Sequence, residues 1–209
     1  MLIYRSMRVL ELFSGTGSVG AVCRRMGLTA VSLDRDLPAD IQTDILNWDY
    51  RSLPPHSFDV IWASPPCTEY SVAKIVGERK LEEANAIVQR TLEIIMHFDP
   101  TYWLIENPQT GLLKSQALVA NLPYDDLDYC KYGMPYRKRT RIWNNIPQWT
   151  PKPLCKKDCG HMRDGRHEQS AQQSPHRHLV DVRRRFRTTD LYKVPEALIE
   201  EILLVLLGQ

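Results

Sequence analysis

Three short stretches carry residues whose types and spacing can do chemistry. In the first, Ala63-Ser64-Pro65-Pro66-Cys67-Thr68-Glu69-Tyr70-Ser71 follows the apolar run Phe58–Ala63. Two prolines stiffen this backbone and restrict the residue before each. A lone cysteine is more often a small buried hydrophobe. A cysteine after Pro-Pro, on a loop leaving a strand, is instead presented where open α/β sheets bind ligands, which makes Cys67 a candidate nucleophile. The second stretch, Glu106-Asn107-Pro108, closes the apolar run Tyr102–Ile105 and sets a carboxylate and an amide at another strand end. A carboxyl group there can hold or deliver a proton, although an exposed strand-end carboxylate is the plainer alternative. The third is Phe13-Ser14-Gly15-Thr16-Gly17-Ser18-Val19-Gly20, whose glycines allow a sharp turn and close backbone approach to a ligand. Asp34 stands 17 residues beyond Gly17, where a carboxylate can accept from ribose hydroxyls. Asp44 stands where a second can accept from an adenine amino group. The pattern alone fits a dinucleotide as well as S-adenosylmethionine.

The elements that must position these groups are legible as alternating strands and helices. Strands are expected at Arg8–Phe13, Leu28–Leu33, Ile41–Ile45, Phe58–Ala63 and Tyr102–Ile105, with Asp125–Tyr129 and Arg139–Trp143 as a final pair. Helices are expected at Gly17–Met26, Glu82–Phe98 and Val194–Leu207, the second with Ala86, Ile87, Leu92, Ile94 and Ile95 as core positions. This alternation predicts an α/β fold built on a mostly parallel sheet. The expected organisation is an α/β domain over 1–143, a short basic insert rich in Cys and His over 144–188, and a C-terminal helix over 189–209 returning to the first domain.

Charge is unevenly distributed. Between Cys130 and Arg187 there are 15 Lys+Arg against 4 Asp+Glu, whereas the whole chain carries a formal net charge of only +2. Such a block, including Arg183-Arg184-Arg185-Phe186-Arg187, reads as a surface for a polyanion, the alternative being a solvated charged face. No apolar run approaches the ~18 residues of a membrane span, and Met1–Met7 reads as a short leader rather than a signal peptide, with Met7 a second candidate start. A soluble intracellular protein is expected, in cytoplasm or nucleoid, a phage-encoded one included. Five cysteines, an odd number, read as reduced thiols rather than a disulfide framework.

Cys155-Lys156-Lys157-Asp158-Cys159-Gly160-His161 has C-x3-C-x-H spacing, with His167 close behind and His176 and His178 further on. Cys155, Cys159 and His167 are candidate ligands of a structural zinc ion, which would staple a segment too small to fold alone. Cys130 joins them if the strands bring it near. The alternative is a polar loop with incidental Cys and His.

Several of these motifs resemble the cytosine-C5 DNA methyltransferase family. Glu11-Leu12-Phe13-Ser14-Gly15-Thr16-Gly17 is similar to its first motif, Pro65-Pro66-Cys67 to its nucleophile motif, and Glu106-Asn107-Pro108 to its Glu-Asn-Val motif. Tyr132-Gly133-Met134-Pro135 with Arg139-Thr140-Arg141 resembles its Gly-x-Pro-Gln-x-Arg-x-Arg motif, with Tyr136 for the Gln and one residue inserted before the Arg pair. Tyr192-Lys193-Val194-Pro195-Glu196-Ala197-Leu198 faintly resembles the last motif. The resemblance covers roughly residues 8–143 and the last helix; the region matching the family's target-recognition domain is short, and its Arg-x-Leu motif is not found.

The resemblance implies a Rossmann-like methyltransferase fold, with S-adenosylmethionine against Phe13, Ser14, Gly15, Gly17, Asp34, Asp44, Ile45 and Pro65. It further implies that Cys67 attacks carbon 6 of cytosine, that Glu106 holds N3, that Asn107 positions the loop or the base, and that Arg139 and Arg141 hold the base carbonyl, Glu106 or a phosphate. The expected partner is duplex DNA, with the flipped-out base and salt-dependent binding that such a target entails, as in a restriction-modification or phage enzyme. RNA as substrate, a specificity partner protein, a catalytically silent DNA-binding paralogue and a nicotinamide-dependent enzyme are the alternatives.

Overall fold

The structure, a computed structural model, describes residues 6–171 and 188–208. His176, His178 and the Arg183–Arg187 cluster lie outside the described residues, as does most of the basic block's C-terminal part.

A seven-stranded sheet forms the centre. Its strands are β1 (Arg8–Leu12), β2 (Thr29–Asp34), β3 (Ile41–Gln42), β4 (Val60–Ala63), β5 (Tyr102–Pro108), β6 (Tyr124–Asp128) and β7 (Arg139–Asn144), in the order β3-β2-β1-β4-β5-β7-β6. The first five run parallel; β7 enters antiparallel between β5 and β6, with Glu106 opposite Ile142 and Asp128 opposite Arg139. The expected pairing of the last two strands is present. β3 is shorter than expected: pairing stops at Gln42, and Asp44 caps a turn by accepting from the Leu46 amide at 2.9 Å.

Helices cover both faces. On one face, α1 (Ser18–Arg25) and α3 (Glu196–Leu206) pack with Val9, Val60, Trp62, Leu104 and Ile142. On the other, α2 (Leu81–Phe98) packs with Leu10, Leu12, Ile61, Ile105 and Trp143. The α2 core face is Ala84, Val88, Thr91, Ile94, Ile95 and Phe98, at helical spacing. Of the expected set, Ile94 and Ile95 are buried, Ile87 and Leu92 are half-buried, and Ala86 points to solvent. Phe98 meets Phe58 edge-on at 5.1 Å, a geometry that contributes about 1 kcal/mol beyond area burial. Arg25 of α1 reaches Glu196 of α3 at 2.8 Å, fixing the last helix to the first.

Helix α1 has no side-chain cap of its own. The carboxylate of Glu11, on β1 beneath it, accepts instead from the Val19 and Gly20 amides at 3.1 and 2.8 Å, satisfying two of the orphan donors of the first turn. Burial pushes the Glu11 carboxyl up from 4.5 to about 7 against the pull of these amides and of Arg24. A two-stranded hairpin, β8 (Met162–Arg163) and β9 (Arg166–His167), stands outside the main sheet. Its two-residue turn is Asp164-Gly165, both at positive φ, as tight hairpins demand. Among the described residues no helix is long and apolar enough to cross a membrane.

Candidate active site

The carboxyl ends of β1, β2, β4 and β5 lie side by side, so the loops leaving them share one edge. The loop after β1 turns through Phe13, Gly15 and Gly17, all at positive φ (61°, 52° and 71°). Phe13 is a bulky residue in a strained conformation, which the surroundings enforce. Asp34, at the end of β2, accepts from the Gly15 amide through Oδ2 (2.8 Å) and from the Asp36 and Leu37 amides through Oδ1 (2.9 Å each). A carboxylate offers about four lone-pair sites, so three amides leave one for a ligand hydroxyl.

The residues fit an adenosyl cofactor in one further respect. A methyl group added to Gly17 would meet no atom within 4 Å, and one on Gly15 only the Phe13 carbonyl at 3.9 Å. The backbone therefore lies open on that side, as a cradle for a ligand must. Ser14 is buried within this turn. Ile45 is 3% exposed and belongs to the core cluster on the α2 side of the sheet. Asp44 lies 3.8 Å from Arg35.

The Pro-Pro-Cys loop is clamped on three sides. The Ser64 amide continues the pairing of β4 with β1 by donating to the Leu12 carbonyl (3.2 Å). Asn107 Nδ2 donates to the Pro65 carbonyl at 2.9 Å. Beyond the nucleophile position, Tyr70 is fully buried and donates to Asn85 Oδ1 at 2.8 Å. Cys67 is thus half-buried on a fixed turn, its carbonyl accepting from the Tyr70 amide at 3.1 Å. Burial pushes the Cys67 thiol up; the Lys138 ammonium pulls it down and the Glu106 carboxylate adds to the rise. Asn107, the residue after Glu106, holds the Pro65 carbonyl of this loop, and Lys138 lies 3.5 Å from Glu106, so the three groups gather at one edge. Beyond Tyr70 the loop continues through Ile75 and Val76, which are 90% and 81% exposed.

Glu106 is buried, and two donors converge on its Oε1: the Tyr129 hydroxyl at 2.7 Å and the Lys138 ammonium at 3.5 Å. Lys138 also lies over the Tyr129 ring, 4.8 Å from its centroid. Among the described residues neither donor uses Oε2. Asn107 Oδ1 is buried with no partner among the described residues, an arrangement that costs about 1–3 kcal/mol until a donor arrives.

Among the described residues the arginine pair meets carboxylates other than Glu106. Arg139 forms a forked pair with Asp128 (3.1 and 2.8 Å) and Arg141 one with Asp126 (2.8 and 2.9 Å). Both arginines lie on the opposite side of β7 from Thr140 and Ile142, because successive strand residues alternate. The cation at Glu106 is Lys138. Without the insertion assumed for this motif, Lys138 falls on its first Arg position and Thr140 on its second.

Beside this edge, Cys130, Cys155, Cys159 and His167 bring their ligand atoms within 4.8 Å of one another. All five cysteines of the chain are free.

The model of the C-5 cytosine-specific DNA methylase family matches residues 7–137. A "probable DNA (cytosine-5)-methyltransferase" of Frog virus 3 (isolate Goorha) is 36% identical, over 94% of this chain and 99% of that one. The chain belongs to the C-5 cytosine-specific DNA methylase family. Another relative, the type II methyltransferase M.AgeI of Thalassovita gelatinovora, is 26% identical over 64% of this chain, which covers 38% of that enzyme. Two solved structures share the fold: the Dnmt2 methyltransferase of S. pombe (TM-score 0.50, 18% identity, 71% of this chain) and the Entamoeba histolytica methyltransferase EhMeth (TM-score 0.51, 15% identity, 72% of this chain). The chain spans about half the length of each, 53% and 56%. The architecture is therefore the Rossmann-like methyltransferase fold, which implies S-adenosylmethionine as cofactor.

For a methylase of this family, two residues at the site escaped the sequence reading. Tyr129 gives no signal, since a tyrosine after a strand reads as core. Lys138 was recoverable by aligning the motif without an insertion.

Proposed function

We propose that the chain transfers a methyl group from S-adenosylmethionine to carbon 5 of cytosine in DNA through a covalent adduct with Cys67. The observation that carries this reading is the fixed Cys67 turn beside a buried Glu106 gripped by Tyr129 and Lys138. A lone buried thiol needs none of this apparatus.

The Cys67 thiolate adds to carbon 6 of the base, and the electrons of the 5,6 double bond move toward carbon 5. Glu106 holds the proton at N3, which makes carbon 6 the better acceptor of the sulfur. Lys138 favours the thiolate over the thiol and holds Glu106 in place. When bound, the cofactor would supply an electrophilic methyl carbon to carbon 5, its sulfonium–methyl bond breaking so that S-adenosylhomocysteine is the leaving group. A solvent-borne base then removes the carbon-5 proton, the double bond re-forms, and the sulfur–carbon-6 bond breaks to return Cys67. Phe13, Ser14, Gly15, Gly17, Asp34 and Asp44 would hold the cofactor, with Pro65 and Ile45 shaping the adjoining wall. Asn107 positions the nucleophile loop through the Pro65 carbonyl, and its unpaired Oδ1 accepts a donor from the bound molecules. Arg139 and Arg141 position β6 against β7.

The target base of a duplex must leave the stack to meet this edge. Exposed Ile75 and Val76, on the loop that carries Cys67, are apolar side chains of the kind used to wedge base steps apart. In this reading the described basic residues of the insert, Lys152, Lys156, Lys157, Arg163 and Arg166, meet the phosphates, and the family's viral and type II relatives are consistent with DNA as its polymer.

The test is transfer of labelled methyl to a mixed-sequence DNA duplex, with RNA in parallel and the product base identified by mass spectrometry. 5-Methylcytosine in DNA, lost in Cys67→Ala, is the expected result. A 5-fluorocytosine duplex should trap Cys67, because fluorine blocks the final elimination. Methylation of RNA alone would overturn the choice of polymer, and trapping by Cys67→Ser would overturn the nucleophile.

A further inference from the structure

We propose that Cys130, Cys155, Cys159 and His167 bind one tetrahedral, thiolate-preferring divalent ion of the zinc class, and that this ion fastens the segment from Cys155 to His167 to the edge of the catalytic sheet. The four ligand atoms come from three separate pieces of chain. Cys130 lies in the turn directly after β6, Cys155 and Cys159 in the loop between β7 and β8, and His167 in β9. Nothing in their sequence spacing forces Cys130 and His167 together; the fold does.

The geometry is that of a coordination sphere. With zinc–sulfur bonds of about 2.3 Å and a zinc–nitrogen bond of about 2.0–2.1 Å, a tetrahedron sets sulfur–nitrogen edges at about 3.6 Å and sulfur–sulfur edges at about 3.8 Å. Cys155 Sγ lies 3.5 Å from His167 Nε2, and all four ligand atoms lie within 4.8 Å of one another. The Lys157 amide points at Cys155 Sγ from 3.3 Å, a donor that supports thiolate charge. Lys157 and Gly160 both take positive φ, so the loop from Cys155 wraps back over its own sulfur atoms.

A second observation asks for such an ion independently. From Lys152 to Ala171 the one buried residue is Cys155. A segment with no apolar core needs a covalent or metal staple to hold one shape. A disulfide would use two of the three thiols and would not account for the third thiol and the imidazole gathered beside them. The attachment matters to the site, because Cys130 adjoins Tyr129, whose hydroxyl holds Glu106. The Cys155 amide also donates to Asp128 at 3.0 Å, the carboxylate that receives Arg139.

The test uses the whole chain purified without chelator. The expected result is about one zinc per chain, and, after exchange, a cobalt form with the visible bands and thiolate charge transfer of a tetrahedral site. Cys159→Ser and His167→Ala should each lose the ion, while Cys67→Ser should keep it. Wild-type protein with no metal after zinc is supplied, or with a Cys155–Cys159 disulfide, would overturn the proposal without recourse to any variant. Trypsin should cut at Lys156, Lys157 and Arg163 faster once the ion is removed; equal rates would overturn the fastening role. These readouts do not pass through methyl transfer, so they stand or fall apart from the activity.

Discussion

Replacing Tyr129 by Phe removes one oxygen atom and nothing else from the site. Tyr129 is fully buried, so the ring stays packed and no cavity forms. What disappears is the hydrogen bond to Glu106 Oε1, 2.7 Å long and closed off from solvent at both ends. A hydrogen bond to a charged group is worth about 1.5–3 kcal/mol, which corresponds to a loss of roughly tenfold to a hundredfold in rate if it is fully expressed in the transition state. Burial and the Glu106 carboxylate raise the Tyr129 phenol well above its ordinary value, so it remains a donor at any working pH, and the loss should be the same from about pH 6 to 9. The assay is single-turnover transfer of labelled methyl to a cytosine duplex at saturating protein. Affinity for DNA should change little, since Tyr129 does not lie on the surface. In a Glu106→Gln background the same replacement should cost much less, because the partner it positions has gone. A folded Tyr129→Phe protein with wild-type single-turnover rate would refute the view that Glu106 acts from a held position.

Three further outcomes follow from the same geometry. Glu11 titrates near 7 when folded against 4.5 as its ordinary value, so its favourable contribution is complete below about pH 4.5 and is lost as pH rises through about 7; urea unfolding should show a loss of up to about 3 kcal/mol from this group, absent in Glu11→Gln. Gly17→Ala should cost about 1–2 kcal/mol of backbone strain and also weaken binding of S-adenosylhomocysteine by calorimetry, because its methyl enters the open side of the glycine turn; Gly27→Ala, equally left-handed and unobstructed but at the far end of α1, should show the strain without the binding loss. Arg139→Met leaves fully buried Asp128 without its forked partner and should cost about 3 kcal/mol by thermal unfolding, whereas Arg141→Met, facing the more exposed Asp126, should cost about 1 kcal/mol.

Much of this architecture was legible because the parallel strands are short, apolar and bounded by turn residues. The glycine turn and the Pro-Pro-Cys loop each follow such a strand and Glu106-Asn107 lie at the end of another, so their meeting at one edge is predictable, although β5 runs on through Pro108 rather than stopping at Ile105. The arginine pair was not, for a reason peculiar to strands. A one-residue slip in register moves every side chain to the other face. Assuming one inserted residue therefore sets Arg139 and Arg141 beside Glu106, where the structure has Lys138. The core face of α2 is legible at Ile87, Leu92, Ile94 and Ile95 but not in full. Ala84 and Thr91 are small or polar and draw no attention, yet with Val88 and Ile95 they complete the helical stripe. Ile41–Ile45 looked like a strand by composition, but only two residues find partners on β2. The fourth member of the Cys/His cluster depended on a tertiary contact that no local pattern encodes.

Asp128 lies at the last position of the outermost strand, and through it and its neighbour Cys130 the small segment beyond β7 is moored to the sheet. The mooring points lie on the margin of the sheet, while Cys67 and the glycine turn hang from its middle strands. A lineage can therefore rewrite the residues between Cys159 and His167, or lengthen that hairpin, and keep the same berth. Change in this segment is in this way separated from change in the strands that carry Cys67 and the glycine turn.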